Sequence, residues 1–382
     1  MHLVDATLFY SPTSGGVKRY LSAKHAWLAE HTSWEHTIVV PGRDTHLERG
    51  SVCTLSGYPV PGTFNYRLPL NPRRWTRLLD ALEPTLIEAG DVFHPAWAGW
   101  LVAQRRGIPL AGFYHSNLPQ LAGRRLCGWF TEPVLRRYVR VLYERCDLVF
   151  APSRLMCSYL RSLGITQVVH QPLGVDAQVF NPARRSDALR ECLGLAANAR
   201  VLVYAGRFAE EKNLPILFRT FARLGSPYHL LLIGGARRAR PAANVTMLPY
   251  RRDSHELAQW IASADALVHA GTKETFGLVI LEAMACGRPV VAARAGAFPE
   301  FVDDSVGALA EPHSAESMAE AIAALYERDL EALGAAARAR VLRHFTWSRA
   351  FHLQLAAYAS LLGAQRAPLA ATPILELRSP SS

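Results

Sequence analysis

Two glutamates eight positions apart form the pattern in this sequence that most clearly suggests chemistry. Glu274 lies in a loop after the apolar segment 264–269, and Glu282 follows within an apolar stretch typical of a buried helix. Because a second apolar segment, 289–292, comes next, the pattern predicts a strand–loop–helix–strand unit of a parallel sheet. Open sheets of this kind bind ligands beyond the carboxyl ends of their strands, which is where Glu274 is predicted to lie.

The start of the predicted helix supplies a second kind of group. Phe276, Gly277 and Leu278 open it, and the first N–H groups of a helix have no partner within the helix. Such groups attract anions, helped by the helix dipole. Carboxylate acceptors beside an anion site suit a ligand that carries both hydroxyls and phosphates, and a nucleotide sugar has these groups.

A pair of cations follows another predicted strand, 201–205. Arg207 and Lys212 would both lie near the carboxyl end of this strand, where they could neutralise a diphosphate, and an arginine can donate two parallel hydrogen bonds to it. Lys212 is one of only four lysines in the chain, so composition explains it poorly. The alternative is a solvated pair with Glu210 and Glu211 as neighbours, and the two carboxylates described above favour the diphosphate clamp.

The first half of the chain offers weaker candidates. Gly15 and Gly16 follow the predicted strand 3–9, and a glycine turn lets backbone approach a phosphate or sugar closely. His115 ends the predicted strand 109–114, which would place it at the edge of the sheet, although a lone histidine is more often structural. The G-x-G-x-x-G and G-x-x-x-x-G-K-[ST] patterns are missing, which argues against a nicotinamide dehydrogenase and a P-loop NTPase.

A further loop follows the apolar segment 289–292. Gly296 allows close backbone approach there, and Glu300 is predicted to orient the loop, with an ordinary turn as the alternative reading.

Composition limits the classes of protein that fit. Half of the 382 residues are hydrophobic, and the net charge of +10 comes almost entirely from arginine. A basic chain suits phosphorylated substrates, anionic membranes or nucleic acid, but no zinc-finger, RRM or basic-zipper signature is present, so we expect no nucleic-acid partner. The six cysteines are scattered without a C-x-x-C pair, which predicts neither a metal site nor a disulfide framework. No signal peptide or transmembrane segment is recognisable, so we expect a cytoplasmic protein.

The order of apolar segments predicts the domain organisation. Strands and helices alternate in two series, which predicts an α/β fold of two Rossmann-like, doubly wound domains that face a cleft. We place an N-terminal domain at 1–175, a linker at 176–198 and a C-terminal domain at 199–345. A final helix at 346–365 could pack back on the N-terminal domain, and the tail 366–382 is predicted to be loose.

Taken together, these motifs resemble a known family. Gly206-Arg207…Lys212, Glu274-x7-Glu282 with its flanking Thr-Phe-Gly-Leu and Ala-Met-Ala-Cys-Gly segments, and Gly296…Glu300 are similar to retaining GT-B glycosyltransferases of family 4. The segment 173–182 resembles their interdomain connection. The resemblance covers nearly the whole chain and implies a GT-B fold, in which the N-terminal domain binds the acceptor and the C-terminal domain binds the nucleotide-sugar donor.

The resemblance also implies a role for each site residue. Glu282 would hold the ribose hydroxyls, while Arg207 and Lys212 would neutralise the diphosphate. Glu274 and the N–H groups of Phe276, Gly277 and Leu278 would contact the donor sugar, and His115 would contact the sugar at its reacting face. Gly16 would approach the diphosphate from the other domain. Pro249, Tyr250 and Arg251 would bind the nucleotide base.

The reaction implied is transfer of a hexose from a UDP- or GDP-sugar to a lipid-linked, saccharide or small-molecule acceptor, with retention of configuration. No D-x-D motif flanks an apolar strand, so we expect neither a metal nor any other cofactor. A GT-B phosphorylase or nucleotide-sugar hydrolase, and a non-catalytic protein that binds nucleotide sugars, remain alternatives. The sequence departs from the family at Ala295-Gly296-Ala297, where relatives often have two adjacent glycines, and this leaves the sugar contacts there open.

An anionic membrane surface is a further candidate partner. Arg136, Arg137 and Arg140 share one face of a predicted helix, 133–145, whose other face is apolar, and the basic and aromatic segment 123–130 precedes it. Basic amphipathic helices with aromatic residues bind anionic bilayers. The alternative is a surface helix packed on its own domain.

Overall fold

Two parallel sheets organise the chain, as the repeated apolar segments predict. The computed structural model describes residues 1–10, 15–60, 66–119, 128–196, 198–235 and 242–366. The strands of the first half are β1 (His2–Ala6), β2 (Glu35–Gly42), β3 (Val52–Ser56), β4 (Tyr58–Pro59), β5 (Arg67–Leu68), β6 (Leu86–Ala89), β7 (Leu110–Phe113), β8 (Leu148–Ala151) and β9 (Val168–His170). They form a parallel sheet of order β3-β2-β1-β6-β7-β8-β9, with β4 and β5 as a separate antiparallel pair.

The second half builds a similar sheet. Its strands are β10 (Arg200–Ala205), β11 (Tyr228–Ile233), β12 (Val245–Leu248), β13 (Ala266–His269), β14 (Val290–Ala293) and β15 (Gly307–Ala310). They pair in parallel in the order β12-β11-β10-β13-β14-β15. Most residues of the central strands are buried, which explains their continuous apolar sequences, since both faces of such a sheet are covered by helices.

Helices connect the strands and cover the sheets. In chain order they are α1 (Gly16–His31), α2 (Pro72–Ala81), α3 (His94–Arg106), α4 (Gly128–Tyr143), α5 (Arg154–Ser162), α6 (Ala188–Cys192), α7 (Leu214–Leu224), α8 (Ser254–Ser263), α9 (Leu278–Ala285), α10 (Ala315–Leu325), α11 (Leu330–His344) and α12 (Trp347–Arg366). Several begin at a side-chain cap that accepts a backbone N–H, as Ser153 does for α5 and Asp253 for α8.

One helix differs in its bounds from the prediction. The sequence predicts a helix at 133–145, but α4 begins at Gly128, ends at Tyr143 and includes Pro133. Two predicted features lie outside the described residues: most of the basic segment 123–130, and the tail except for its first residue, Arg366, which ends α12.

The strand order of each sheet creates a position suited to ligands. In both sheets the chain first builds outward in one direction and then continues on the other side of the first strand, so a crevice opens between β1 and β6 and another between β10 and β13. Ligands of doubly wound folds bind at this point, outside the carboxyl ends of the strands. Gly16 follows β1, Arg207 follows β10, and Glu274 follows β13, so the fold directs these candidates to the two crevices.

The last helix returns to the first domain. Val175 donates its N–H to Phe345 O at 2.8 Å, and Gln171 Nε2 donates to Ala350 O at 2.8 Å, which fastens the start of α12 to the connecting segment. Further along α12, Gln354 and Tyr358 hydrogen-bond to the buried Glu88 of β6. No helix in the part of the chain that the structure describes is long and apolar enough to span a bilayer.

Candidate active site

One cleft brings most of the candidate residues together. It has a volume of about 2000 Å³ and lies between the carboxyl edges of the two sheets. Its walls include residues from the predicted site, namely Gly16, His115, Arg207, Lys212, Tyr250, Arg251, Glu274, Phe276, Gly277, Leu278 and Glu282. Pro249 differs from the others, since it is exposed and does not line the cleft.

Lys212 and Glu274 form an ion pair at the base of the cleft. Lys212 Nζ donates to Glu274 Oε1, and the two side chains are 17% and 15% exposed. Burial alone would raise the pKa of Glu274, but the charge of Lys212, the neighbouring His269 and the hydrogen bond from Lys212 outweigh it and hold this pKa below its usual value. Glu274 is therefore an ionised acceptor at neutral pH.

His269 supports this pair from behind, although the sequence analysis did not single it out. Its Nδ1 accepts the N–H of Gly271 at 3.0 Å, so in the neutral ring the proton is on Nε2, which lies 3.7 Å from Glu274 Oε1. Burial lowers the pKa of His269 to about 4. His269 ends β13 just as His115 follows β7, so the positional rule used for His115 would have found it.

The loop after β14 holds the backbone of Glu274. Ala297 donates its N–H to Glu274 O at 3.0 Å. Gly296 has φ +57°, and a Cβ at this position would lie 2.7 Å from Glu274 O. Glycine is therefore required at 296, whereas Ala297 contributes its backbone N–H.

Arg207 occupies a more exposed position. Its guanidinium lies 3.6 Å from Glu211 Oε1, and its backbone carbonyl accepts the hydroxyl of Tyr204 at 3.0 Å. Lys212 belongs to a short 3-10 helix, Glu210–Lys212, rather than to the first turn of α7. Because an ammonium has three donors and a guanidinium five, both cations keep capacity for a phosphate beside their glutamate partners.

The starts of two helices meet in the cleft. α9 begins after Gly277, whose φ of +93° and proximity to Phe298 require a glycine. Phe276 turns its ring into the core against Phe301, with ring centroids 4.8 Å apart. A Cβ on Gly16, at the start of α1, would lie 3.2 Å from Leu278 Cδ1. The N-termini of α1 and α9 therefore approach each other from opposite domains.

An ion pair that sequence reasoning missed joins the same two helices. Arg19 Nη1 of α1 donates to Glu282 Oε1 of α9. The carboxylate is 3% exposed and the guanidinium 28%. Only the spacing of Arg19, three residues after Gly16 on the same helix, could have indicated that it faces the cleft.

His115 lies in an aromatic setting on the first-domain side. Its ring stacks on Phe113, with centroids 4.0 Å apart, and lies 5.0 Å from Tyr20. Burial lowers the pKa of His115 to about 4, so the ring is neutral at pH 7. Within the described residues its buried Nε2 has no hydrogen-bond partner. A ligand in the cleft could supply one.

Hydrogen bonds between the domains flank the cleft. Ser153 Oγ donates to Thr275 O at 2.7 Å, and Thr275 Oγ1 donates to His115 O at 2.9 Å. Glu300 accepts the N–H groups of Arg154 and Leu155, each at 2.8 Å. The sequence predicts that Glu300 orients its own loop, and this was wrong, because its side chain instead binds the first turn of α5 in the other domain.

The predicted base-binding loop forms the far wall. Arg251 pairs with Glu256 at 2.8 Å and lies over the ring of Trp260, while Tyr250 and Met247 line the cleft beside it. Among the described residues, no group of three or more His, Cys, Asp and Glu side chains is arranged to hold a metal ion.

Comparison with known proteins decides the family. The family described as Glycosyltransferase Family 4 matches residues 14–179, and the one described as Glycosyl transferases group 1 matches 199–328. A GDP-mannose-dependent alpha-(1-6)-phosphatidylinositol dimannoside mannosyltransferase of Mycobacterium tuberculosis is 31% identical over 376 residues, which cover 93% of this chain and 95% of that protein. The chain belongs to the family 4, or group 1, glycosyltransferases.

Further relatives agree with this assignment. A D-inositol 3-phosphate glycosyltransferase of Mycolicibacterium smegmatis is 31% identical over 72% of this glycosyltransferase and 69% of its own length. The fold matches that of a sucrose-phosphate synthase from Thermosynechococcus elongatus, with a TM-score of 0.79 at 22% identity over 95% and 99% of the two chains. Anabaena Alr3699/HepE, solved with UDP and glucose, gives 0.75 at 20% identity over 94% and 100%. The predictions of the GT-B fold and of a glycosyltransferase are therefore confirmed.

Proposed function

We propose that this glycosyltransferase moves a hexose from a nucleotide-diphosphate sugar to its acceptor with retention of configuration and without a metal ion. The observation that carries the proposal is the convergence of Lys212, Glu274 and the first turn of α9 at the carboxyl edge of the second sheet. These groups have the charges that a diphosphate and a sugar require, and they lie where doubly wound folds bind ligands.

Stabilisation of the leaving group follows from this arrangement. As the bond to the sugar breaks, negative charge builds up on the nucleotide diphosphate. Lys212, Arg207 and the N–H groups at the start of α9 offer fixed positive charge and dipoles, which stabilise that charge most strongly in the transition state. We propose that they act in place of a metal ion, and activity that survives EDTA would support this step.

Glu274, His115 and Glu282 would orient the donor. Glu274 is an ionised acceptor suited to sugar hydroxyls, and its pair with Lys212 links sugar position to diphosphate position. His115 lines the same cleft, and its buried Nε2 has no partner among the described residues, so we propose that it contacts a sugar hydroxyl on the reacting face. Glu282 would accept the ribose hydroxyls, one turn along the helix whose start would bind phosphate.

The relatives guide the choice of donor and acceptor. A relative that spans nearly the whole chain is named a GDP-mannose-dependent alpha-(1-6)-phosphatidylinositol dimannoside mannosyltransferase, and another is named a D-inositol 3-phosphate glycosyltransferase. We propose GDP-mannose as the first donor to test and an inositol-containing glycolipid as the first acceptor.

Calorimetric titration with UDP, GDP and ADP in EDTA tests the donor site. We expect one nucleotide to bind in the micromolar range, with binding lost in Arg207→Ala and retained in Arg223→Ala, which removes an exposed arginine on α7. If no nucleotide binds to the folded protein, the proposal is wrong.

Product analysis then tests the transfer. With GDP-mannose and the glycolipid acceptor, we expect an α-linked product by NMR, since the α-configured donor keeps its configuration. Equal release of free mannose with and without acceptor would indicate a hydrolase instead.

We also propose that α4 binds an anionic membrane surface. Arg136, Arg137 and Arg140 are exposed, while Val139 and Leu142 on the other side are fully buried, so the basic face is available. Arg136 lies 3.9 Å from the carboxylate of Glu132 on the same helix, and Arg140 lies 2.6 Å from that of Glu144 just beyond its end, which reduces the net charge of that face. Flotation with phosphatidylserine vesicles at low salt should recover the protein, and no recovery would refute the proposal.

A further inference from the structure

The Arg19–Glu282 pair connects the two domains at the position that the proposed function gives to ribose. Glu282 is four residues after Leu278 on α9, and Arg19 is three residues after Gly16 on α1. A Cβ on Gly16 would lie 3.2 Å from Leu278 Cδ1, so the two helices are also close together one turn before the ion pair. The ion pair therefore lies where the starts of the two helices approach each other.

Arg19 is held on other sides as well. Its guanidinium lies 5.9 Å from the centre of the Phe180 ring, in the segment that connects the domains. The next residue, Tyr20, is fully buried and donates its hydroxyl to Glu88 Oε1 at 2.9 Å. Helix α1 is therefore fixed to the first domain just where Arg19 projects from it.

Glu282 keeps an acceptor free beside this pair. Arg19 binds Oε1, and among the described residues no hydrogen bond reaches Oε2. An ionised carboxylate has about four lone-pair sites, so it can accept from a guanidinium and from hydroxyls at the same time. One carboxylate therefore has enough acceptor sites for both partners.

We propose that Arg19 is a positioning residue for nucleotide recognition: it orients Glu282 so that the carboxylate accepts the ribose hydroxyls. This inference rests on the proposed role of Glu282. Because Arg19 belongs to the first domain, ribose recognition then depends on both domains.

A comparison of two nucleotides separates this role from a structural one. Calorimetry would measure binding of GDP and of 2′,3′-dideoxy-GDP, or of the UDP pair if UDP binds, to the wild-type protein and to Arg19→Met, Arg19→Lys and Arg49→Met. The last variant removes an exposed arginine that pairs with Glu35, so it is a matched control. Melting temperatures would establish that each variant is folded.

We expect the wild-type protein to prefer the ribonucleotide about tenfold or more, since hydrogen bonds to a charged group are strong. Arg19→Met should lower this preference to about threefold or less, Arg19→Lys should restore part of it, and dideoxynucleotide binding should change less than twofold. Arg49→Met should match the wild-type protein.

The possible failures are distinguishable. A wild-type protein that binds both nucleotides equally would remove the proposed role of Glu282 and the inference with it. A tenfold wild-type preference that persists in Arg19→Met would overturn the inference alone. Tighter ribonucleotide binding in Arg19→Met would also overturn it, because Arg19 would then compete with ribose for Glu282.

Discussion

Lys24 and Lys212 each pair with a glutamate, but their surroundings are very different. Lys24 is 2% exposed and lies within hydrogen-bonding distance of Asp5, Glu88, Tyr20 and Tyr358, so its three donors are fully used. Lys212 is 17% exposed and lines the cleft, and among the described residues its ammonium hydrogen-bonds only to Glu274. The first lysine is saturated by its own protein, and the second has donors left for a ligand.

The two glutamates differ in the same way. Burial raises the pKa of Glu88, which must share Lys24 with the nearby Asp5, while the positive groups around Glu274 outweigh burial and lower its pKa. The Lys24 cluster contains more acidic than basic side chains, so we interpret it as an internal network. Around Glu274 the cations Lys212 and Arg207 prevail, as an anion-binding site requires.

The largest effect should come from breaking the saturated cluster. Lys24→Met leaves Asp5 and Glu88 buried without their shared cation, and we expect a loss of about 3–5 kcal/mol in the free energy of unfolding. Urea denaturation would measure it. Arg223→Met, in an exposed pair with Glu316, should cost at most about 1 kcal/mol. Equal stabilities of the two variants would show that the cluster is not structural.

Substitutions in the Lys212–Glu274 pair should instead lower activity and leave stability nearly unchanged. We expect Lys212→Met and Glu274→Gln each to lower kcat by about 10²–10³-fold, the scale found when a preorganised charge-stabilising group is removed. Their melting temperatures should stay close to that of the wild-type protein, since the cleft side chains are partly solvated. Wild-type turnover by either variant would contradict the assignment of the site.

Much of this fold and part of the site could be predicted from the sequence. The central strands were predictable because residues buried on both faces of a parallel sheet must be apolar, as in 266–269. Glu274 and Arg207 were predictable because each follows such a strand, and that position alone directs a side chain to the cleft.

The contacts between distant segments were not predictable. Arg19 and Glu282 are 263 positions apart, and only the relative placement of the two domains brings them together. In the sequence, Lys24 resembles any other lysine of a helix, because its partners lie on β1, β6 and α12, far from it along the chain. Glu300 likewise binds a helix of the other domain, which no local pattern encodes.

A glycine substitution sharpens the comparison by moving Glu274 without removing it. A Cβ at Gly296 would press on Glu274 O, so we expect Gly296→Ala to lower kcat about tenfold and to reduce stability by about 1–2 kcal/mol. Gly107→Ala is the matched control, because φ is +63° there but the space is open. It should lose stability and keep wild-type kcat. Equal kcat in both variants would show that Gly296 does not hold Glu274.

The smallest effect is the loss of stability that His269, beside the Lys212–Glu274 pair, causes on acidification. His269 has a folded pKa of about 4 against 6.5 when unfolded, so between these values the unfolded chain binds more protons and stability falls as the pH falls. From pH 7.5 to 5.5, this histidine should account for about 1 kcal/mol of lost unfolding free energy. His269→Gln should remove that share, while the exposed His46→Gln should not. Since Glu274 stays ionised and His269 neutral in the folded protein, kcat should change little through these two groups over the same range. If kcat instead fell in parallel with stability, the buried groups of the cleft would have a mainly structural role, as those of the Lys24 cluster do.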